Sequence, residues 1–133
     1  MKLQFNIKQK TEIVFEYLSD VQKFVVAHPV ITKIENKGNG TYIAYETLKL
    51  GFIPVSFKYP FTIDMNAGAK TITMYATVMR FTKIEIHFKI TEHKEFTLVE
   101  ETITFKSPLP IKAILKRIFT QQHTVLFKNI EAV

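Results

Sequence analysis

The sequence predicts an α+β fold: a curved antiparallel sheet of about seven strands wrapped on one long C-terminal helix, with two short helices after the first strand. Three observations carry this. Residues 30 to 106 alternate apolar and polar side chains between short turn signals. Residues 11 to 25 repeat their apolar positions every three or four residues, and the segment from Ile111 to about Glu131 carries a second, longer helical stripe.

The elements follow in order. Leu3, Gln4, Phe5, Asn6 and Ile7 alternate strictly and make a half-buried strand. Thr11 is then read as an N-cap before Val14, Phe15, Leu18, Val21, Phe24 and Val25, with Ser19 and Asp20 dividing two short helices and Pro29 ending them. Turn chemistry at 36–40, 51–54, 66–70, 80–83 and 93–95 cuts the next stretch into six strands, and strands joined by short turns form an antiparallel meander. The clearest is 53–65, with Ile53, Val55, Phe57, Tyr59, Phe61, Ile63 and Met65 on one parity. Pro54 and Pro60 cannot donate to a ladder, so this strand should bend or lie partly at an edge. The same rule turns Ile72, Met74, Ala76 and Val78 inward, followed by Ile84, Ile86, Phe88 and Ile90. Pro110 suits a first helical position, and the final stripe comprises Ile111, Ile114, Leu115, Ile118, Phe119, Val125, Leu126 and Ile130.

Composition narrows the function. A chain of 133 residues with twelve Phe suits one domain, 1–133, with a substantial core. The absence of Cys removes thiolate chemistry and disulfides. The N-terminus alternates instead of forming an apolar signal segment, no stretch reaches the ~18 apolar residues of a membrane span, and a cytoplasmic protein is the default expectation. The net charge of +6 favours acidic partners, but Lys is dispersed along the strands, which argues against a nucleic-acid site. Lys112, Lys116 and Arg117 form the nearest thing to a basic cluster.

A sheet with one apolar face needs a cover, and only the last helix is long enough. A curved sheet on a straight helix leaves space beneath it, the usual form of a small-molecule site. The order of elements resembles the helix-grip fold of the START-like (SRPBCC) superfamily, which includes pollen-allergen-like, polyketide cyclase and lipid-transfer proteins. Phe15-Glu-Tyr-Leu-Ser-Asp20 through Pro29 looks like that family's helical opening, Phe57-x-Tyr59 resembles its central strand, and Gln122-His-x-x-x-Phe127 falls in its gripping helix. The resemblance covers essentially the whole chain. It implies binding of lipids, sterols, quinones or polyketides and, in some members, cyclase or aromatase chemistry.

Phe57, Tyr59, Phe61, Met74, Phe88, Ile118 and Leu126 sit inward in mid-element and are candidate pocket walls; the alternative is that they simply interdigitate as core. Glu101 falls among Val99, Ile103 and Phe105, Glu46 lies between Ala44 and Leu48, and Arg80 continues the inward series from Ile72. A carboxylate on an apolar face must find a partner or protonate, so these are functional candidates. A bulge that slips the parity is nonetheless the preferred reading and would leave all three in water. Gln122 and His123 lie on or beside the last helix's stripe, where either could orient a ligand oxygen, although a lone His there is more often merely hydrogen-bonded. The ligand-binding set is therefore Phe57, Tyr59, Phe61, Met74, Arg80, Phe88, Glu101, Ile118, Gln122 and Leu126.

No nucleophile elbow, P-loop or dinucleotide fingerprint is present, and the four His residues lack metal-ligand spacing, so no catalytic residue, metal or cofactor is assigned. A non-catalytic carrier or sensor of a small hydrophobic molecule is the leading expectation. The alternatives are a cyclase or dehydratase whose protons pass through Glu101, Arg80, Tyr59 or His123, and a module touching a membrane or macromolecule through its basic helix start. A fatty-acid-binding-protein barrel of similar length should end in strands, whereas this chain ends in a helix.

Overall fold

The computed structural model describes residues 1–133, the side chain of Leu50 excepted. The chain runs β1 (Lys2–Ile7), α1 (Thr11–Ser19), α2 (Val21–Ala27), β2 (Ile31–Gly38), β3 (Thr41–Leu50), β4 (Ile53–Asn66), β5 (Thr71–Val78), β6 (Thr82–Glu92), β7 (Thr97–Lys106) and α3 (Lys112–Glu131). One curved antiparallel sheet results, ordered β1-β7-β6-β5-β4-β3-β2, in which only β1 leaves chain order to pair with β7. The predicted order of elements is the observed one.

Local chemistry explains the boundaries. Asp20 closes α1 and opens α2, its carboxylate accepting from the N–H groups of Gln22 and Lys23 at 3.0 and 3.2 Å. Thr11 does not cap α1 as expected: it is the first helical residue, and Lys10 takes the cap position. The reason is tertiary. Thr97 Oγ1 donates to the Gln9 carbonyl, so the buried Thr11 hydroxyl is the one that donates to Thr97, pinning α1 to β7.

β4 shows what its prolines are for. Along Ile53–Pro60 it pairs with β3 alone, and its ladder with β5 begins only at Phe61, opposite Ala76. Pro54 and Pro60 fall in the half that lacks a second neighbour, where a missing donor leaves no gap in a ladder on the β5 side.

α3 crosses the concave face of the sheet. Its last turns are the better anchored: Leu126, Phe127 and Ile130 are buried in the main core cluster, Phe127 packs against Phe5 and Phe88, and Asn129 Nδ2 donates to the Ala27 carbonyl at 2.8 Å. The predicted stripe needs correction. Ile114 and Val125 are exposed, and the positions that follow the helical period on the buried face are Gln122 and His123. Two polar side chains therefore interrupt an apolar stripe where it faces the sheet. A second, smaller cluster of Ile84, Ile103 and Phe105, with Leu115 and Phe119 against it, holds the first turns of α3.

Candidate functional site

Between the two apolar clusters lies a cavity of about 110 Å³, roofed by Leu115, Ile118, Phe119, Gln122 and His123 of α3. Its floor comes from inward positions of β3 to β6, and Phe24 and His28 of α2 close one end. Most of the wall is apolar; the polar lining is His28, Glu46, Tyr59, Gln122 and His123, and neither Lys nor Arg is part of it.

The polar groups form two pairs. Tyr59 donates its hydroxyl to Glu46 Oε2 at 2.8 Å, which the register allows because Glu46 lies opposite Phe57, one inward position along β4 from Tyr59. Glu101 projects from β7 beneath α3 and meets His123, its Oε2 in direct contact with Nδ1, and each residue is only 1% exposed. The Glu101 Oε1 and Gln122 Nε2 atoms are buried without any hydrogen-bond partner. Because Nδ1 faces Glu101, Nε2 is the ring nitrogen of His123 left for the cavity.

Burial also sets protonation. It pushes the Glu46 carboxyl above the ordinary carboxylate range, against the opposing influence of Tyr59, the Gln122 amide and His123. It raises the Tyr59 phenol further, with Glu46 beside it adding to the effect. His28 is held down to about 3, by burial first and by the facing His123 second. Its Nδ1 accepts from the backbone N–H of Val30 and Ile31 at 3.3 and 3.2 Å, so the ring proton belongs on Nε2.

A folded-state value below the unfolded one means that the unfolded chain takes up the His28 proton first as pH falls. Stability from His28 is thus complete above about pH 6.5 and is lost progressively toward about 3, amounting to about 2 kcal/mol by pH 5. Glu46 works oppositely, since the folded state takes up its proton first. Urea unfolding of wild type and His28→Asn, which keeps an acceptor but cannot titrate, should show a shallower acid decline in the variant; parallel curves would remove His28 from the account.

No family model and no curated protein matches the sequence. Solved structures do resemble it. A START superfamily protein from Mycobacterium smegmatis superposes with a TM-score of 0.74 at 18% identity, over 99% of this chain and 94% of that one. The Zhui aromatase/cyclase from Streptomyces sp. R1128 gives 0.70 at 9% identity, over 99% and 90%. A conserved protein from Geobacillus kaustophilus gives 0.79 at 14% identity, over 98% and 91%. The chain has the helix-grip fold of the START-like proteins.

Within the helix grip, six of the ten expected ligand-binding residues line the cavity: Phe57, Tyr59, Phe61, Met74, Ile118 and Gln122. Four do not. Phe88 and Leu126 are fully buried behind the wall, in the main core cluster. Glu101 sits behind His123 and holds it. Arg80 is corrected outright: β5 ends at Val78, and Met79 and Arg80 turn the chain with φ of 55° and 67°, so the inward parity stops before Arg80 and its side chain is exposed. The bulge expected to wet all three charged residues does not turn the two carboxylates out: β7 runs unbroken through Glu101, and at Glu46 the β3–β4 register is unbroken while the irregularity lies in β2, between Ile31 and Lys33. Phe24, His28, Ala44, Ile84 and Phe119 also line the cavity. Parity and stripe contained the signal for Ile84 and Phe119; nothing local announces Phe24 or His28. Among the described residues, no three His, Asp or Glu side chains gather as a metal site.

Proposed function

We propose that the protein binds a small, largely apolar molecule in the cavity between the sheet and α3. The observation that carries this reading is the cavity itself, an apolar hollow with a few convergent polar groups at one end. Its volume of about 110 Å³ holds a single ring as it stands, and a two-ring guest needs some yielding of the roof, whereas a long lipid does not fit. A larger guest would displace the first half of α3, because the hydrogen bonds that tie this end of the chain to the β1–α1 loop and α2 fall at Asn129, Ile130, Glu131 and Val133.

Ala76 supports a direct test, as its methyl points into the cavity from mid-β5. Ala76→Leu should fill the void, raise stability by about 0.5 to 2 kcal/mol and reduce binding of the compact neutral fluorophore 2-naphthol by tenfold or more. Unchanged fluorescence titration in a folded Ala76→Leu protein would defeat the binding reading.

One observation favours a second reading. Glu101 against His123 is a carboxylate–imidazole pair with the imidazole on the cavity wall, the arrangement a general base needs. On this reading the protein removes a proton from carbon next to a ligand carbonyl, as a cyclase or dehydratase would. Proton NMR of 2-tetralone in D2O should then show faster α-deuteration with wild type than with His123→Gln; equal rates would eliminate it.

A further inference from the structure

We infer that the cavity takes a ligand with one uncharged oxygen, a hydroxyl or carbonyl, on an apolar body, and excludes the carboxylate of the same skeleton. This rests on the binding reading above. Gln122 Nε2 is a donor on the cavity wall, in a side chain more than nine-tenths buried; it lies close enough to Glu46 to oppose the rise in that carboxyl's pKa, yet no acceptor meets it with good hydrogen-bond geometry. A buried amide N–H without an acceptor is costly, and a ligand oxygen at this place would satisfy it. Glu46 is the nearest acceptor, but its Oε2 accepts from Tyr59 and its contact with the Gln122 amide falls outside good hydrogen-bond geometry, so a ligand oxygen would complete what Glu46 leaves undone.

The charge of the surroundings decides which oxygen. Glu46 is on the wall, Glu101 lies directly behind it, and no Lys or Arg lines the cavity. The two imidazoles offer no free cation: His28 stays neutral to about pH 3, and His123 faces Glu101. A ligand carboxylate would be desolvated beside a second carboxyl with nothing to answer its charge. A neutral oxygen meets the amide without that cost.

The experiment compares naphthalene, 2-naphthol and 2-naphthoate by isothermal titration near neutral pH, on wild type and Gln122→Leu. The expected result is 2-naphthol bound roughly tenfold tighter than 2-naphthoate, with Gln122→Leu weakening 2-naphthol about tenfold and leaving naphthalene unchanged. If 2-naphthoate binds as well as 2-naphthol, or Gln122→Leu leaves 2-naphthol unaffected, the oxygen site is wrong while the apolar pocket stands. If none of the three binds, the binding reading itself falls.

A separate observation concerns the outside of the same end. The registers Leu50↔Ile53, Val78↔Thr82 and Lys83↔Lys106 put the β3–β4 turn, the β5–β6 turn and the link into α3 at the same end of the sheet, with the β3–β4 hairpin reaching past the end of its ladder with β5. Large apolar side chains stand in solvent there: Phe52 fully, with Ile53, Met79, Phe81, Leu109 and Ile114 well exposed. Met79 and Arg80 also occupy the left-handed region, a conformation that costs side-chain-bearing residues and is held where a turn must present them. The segments 47–63, 65–84 and 102–130 contain no Asp or Glu, while Lys49, Arg80, Lys112, Lys116 and Arg117 contribute positive charge.

The geometry points to docking of this rim on an anionic lipid surface, the apolar tips entering the interface and the cations meeting headgroups. Flotation with phosphatidylcholine vesicles, with and without phosphatidylglycerol, tests it. Wild type should float only with the anionic vesicles, and the double variant Phe52→Ser/Phe81→Ser should lose roughly tenfold in partitioning while keeping its melting temperature. Absence of flotation, or flotation untouched by the two serines, would overturn the proposal; the latter would mean adsorption by charge alone.

Discussion

His123→Leu is expected to destabilise the protein by about 3 to 5 kcal/mol, measured as the loss in urea unfolding free energy near neutral pH. The cause is the carboxylate left behind. Glu101 is 1% exposed, it lies among Val99, Ile103 and Phe88, and in the wild type its carboxylate meets the His123 imidazole. Removing the imidazole strands a buried carboxyl in an apolar layer without its partner. The double variant Glu101→Leu/His123→Leu should regain most of that loss, because replacing both members of a buried pair by apolar groups restores packing without an orphaned charge. The four-way cycle should therefore show strong coupling. If the double variant is as unstable as the sum of the two singles, the pair is not an energetic unit. Should the double variant fold well yet fail in the 2-tetralone exchange assay, the pair is kept for chemistry at no benefit to stability, the pattern expected of a functional site.

Phe88→Ala should cost a similar amount, about 3 to 5 kcal/mol, whereas Phe57→Ala should cost less than about 1.5 kcal/mol. Both rings lie on inward parities in mid-strand, and the sequence treats them alike. Phe88 is fully enclosed, packed against Phe127 and His123, so truncation leaves a void that rigid neighbours cannot fill. Phe57 is half-buried on the cavity wall, its ring tilted against that of Tyr59, and its loss enlarges a space that already exists. Ligand response should run the other way. A saturating neutral fluorophore should raise the melting temperature of Phe88→Ala as it does that of wild type, and raise that of Phe57→Ala less, because linkage follows affinity. Equal destabilisation by the two substitutions would mean that the cavity wall is ordinary core.

The contrast between these two rings marks how far the sequence can be read. Alternation along 53–65 identified the inward face of β4 from Val55 to Ile63, including Phe57, Tyr59 and Phe61, because successive strand side chains must point to opposite sides whatever surrounds them, whereas Ile53 and Met65 at its ends are exposed. The same rule turned Glu46 and Glu101 inward, and the structure keeps both there. The error lay in expecting a bulge to release them. Parity failed at Arg80 for a different reason: it continued a strand pattern past Val78 into a turn built on two left-handed residues, neither of them Gly, so the usual signal was missing. On α3 the period was read through Ile114 and Val125, whereas the face that meets the sheet passes through Gln122 and His123.

Strand parity, helical period and turn chemistry each depend on a few consecutive residues, and so the order of elements, the direction of most strand side chains and the gripping helix could be inferred from the chain alone. The cavity could not. Whether an inward side chain meets a void or a neighbour depends on sheet curvature and on the separation of α3 from the strands, and no local pattern encodes either. The Glu101–His123 contact joins residues 22 positions apart on different elements, His28 reaches the cavity only because α2 packs across its end, and the basic and apolar rim is assembled from three turns remote in sequence. Each of these is a consequence of distance in space, which only the folded arrangement supplies.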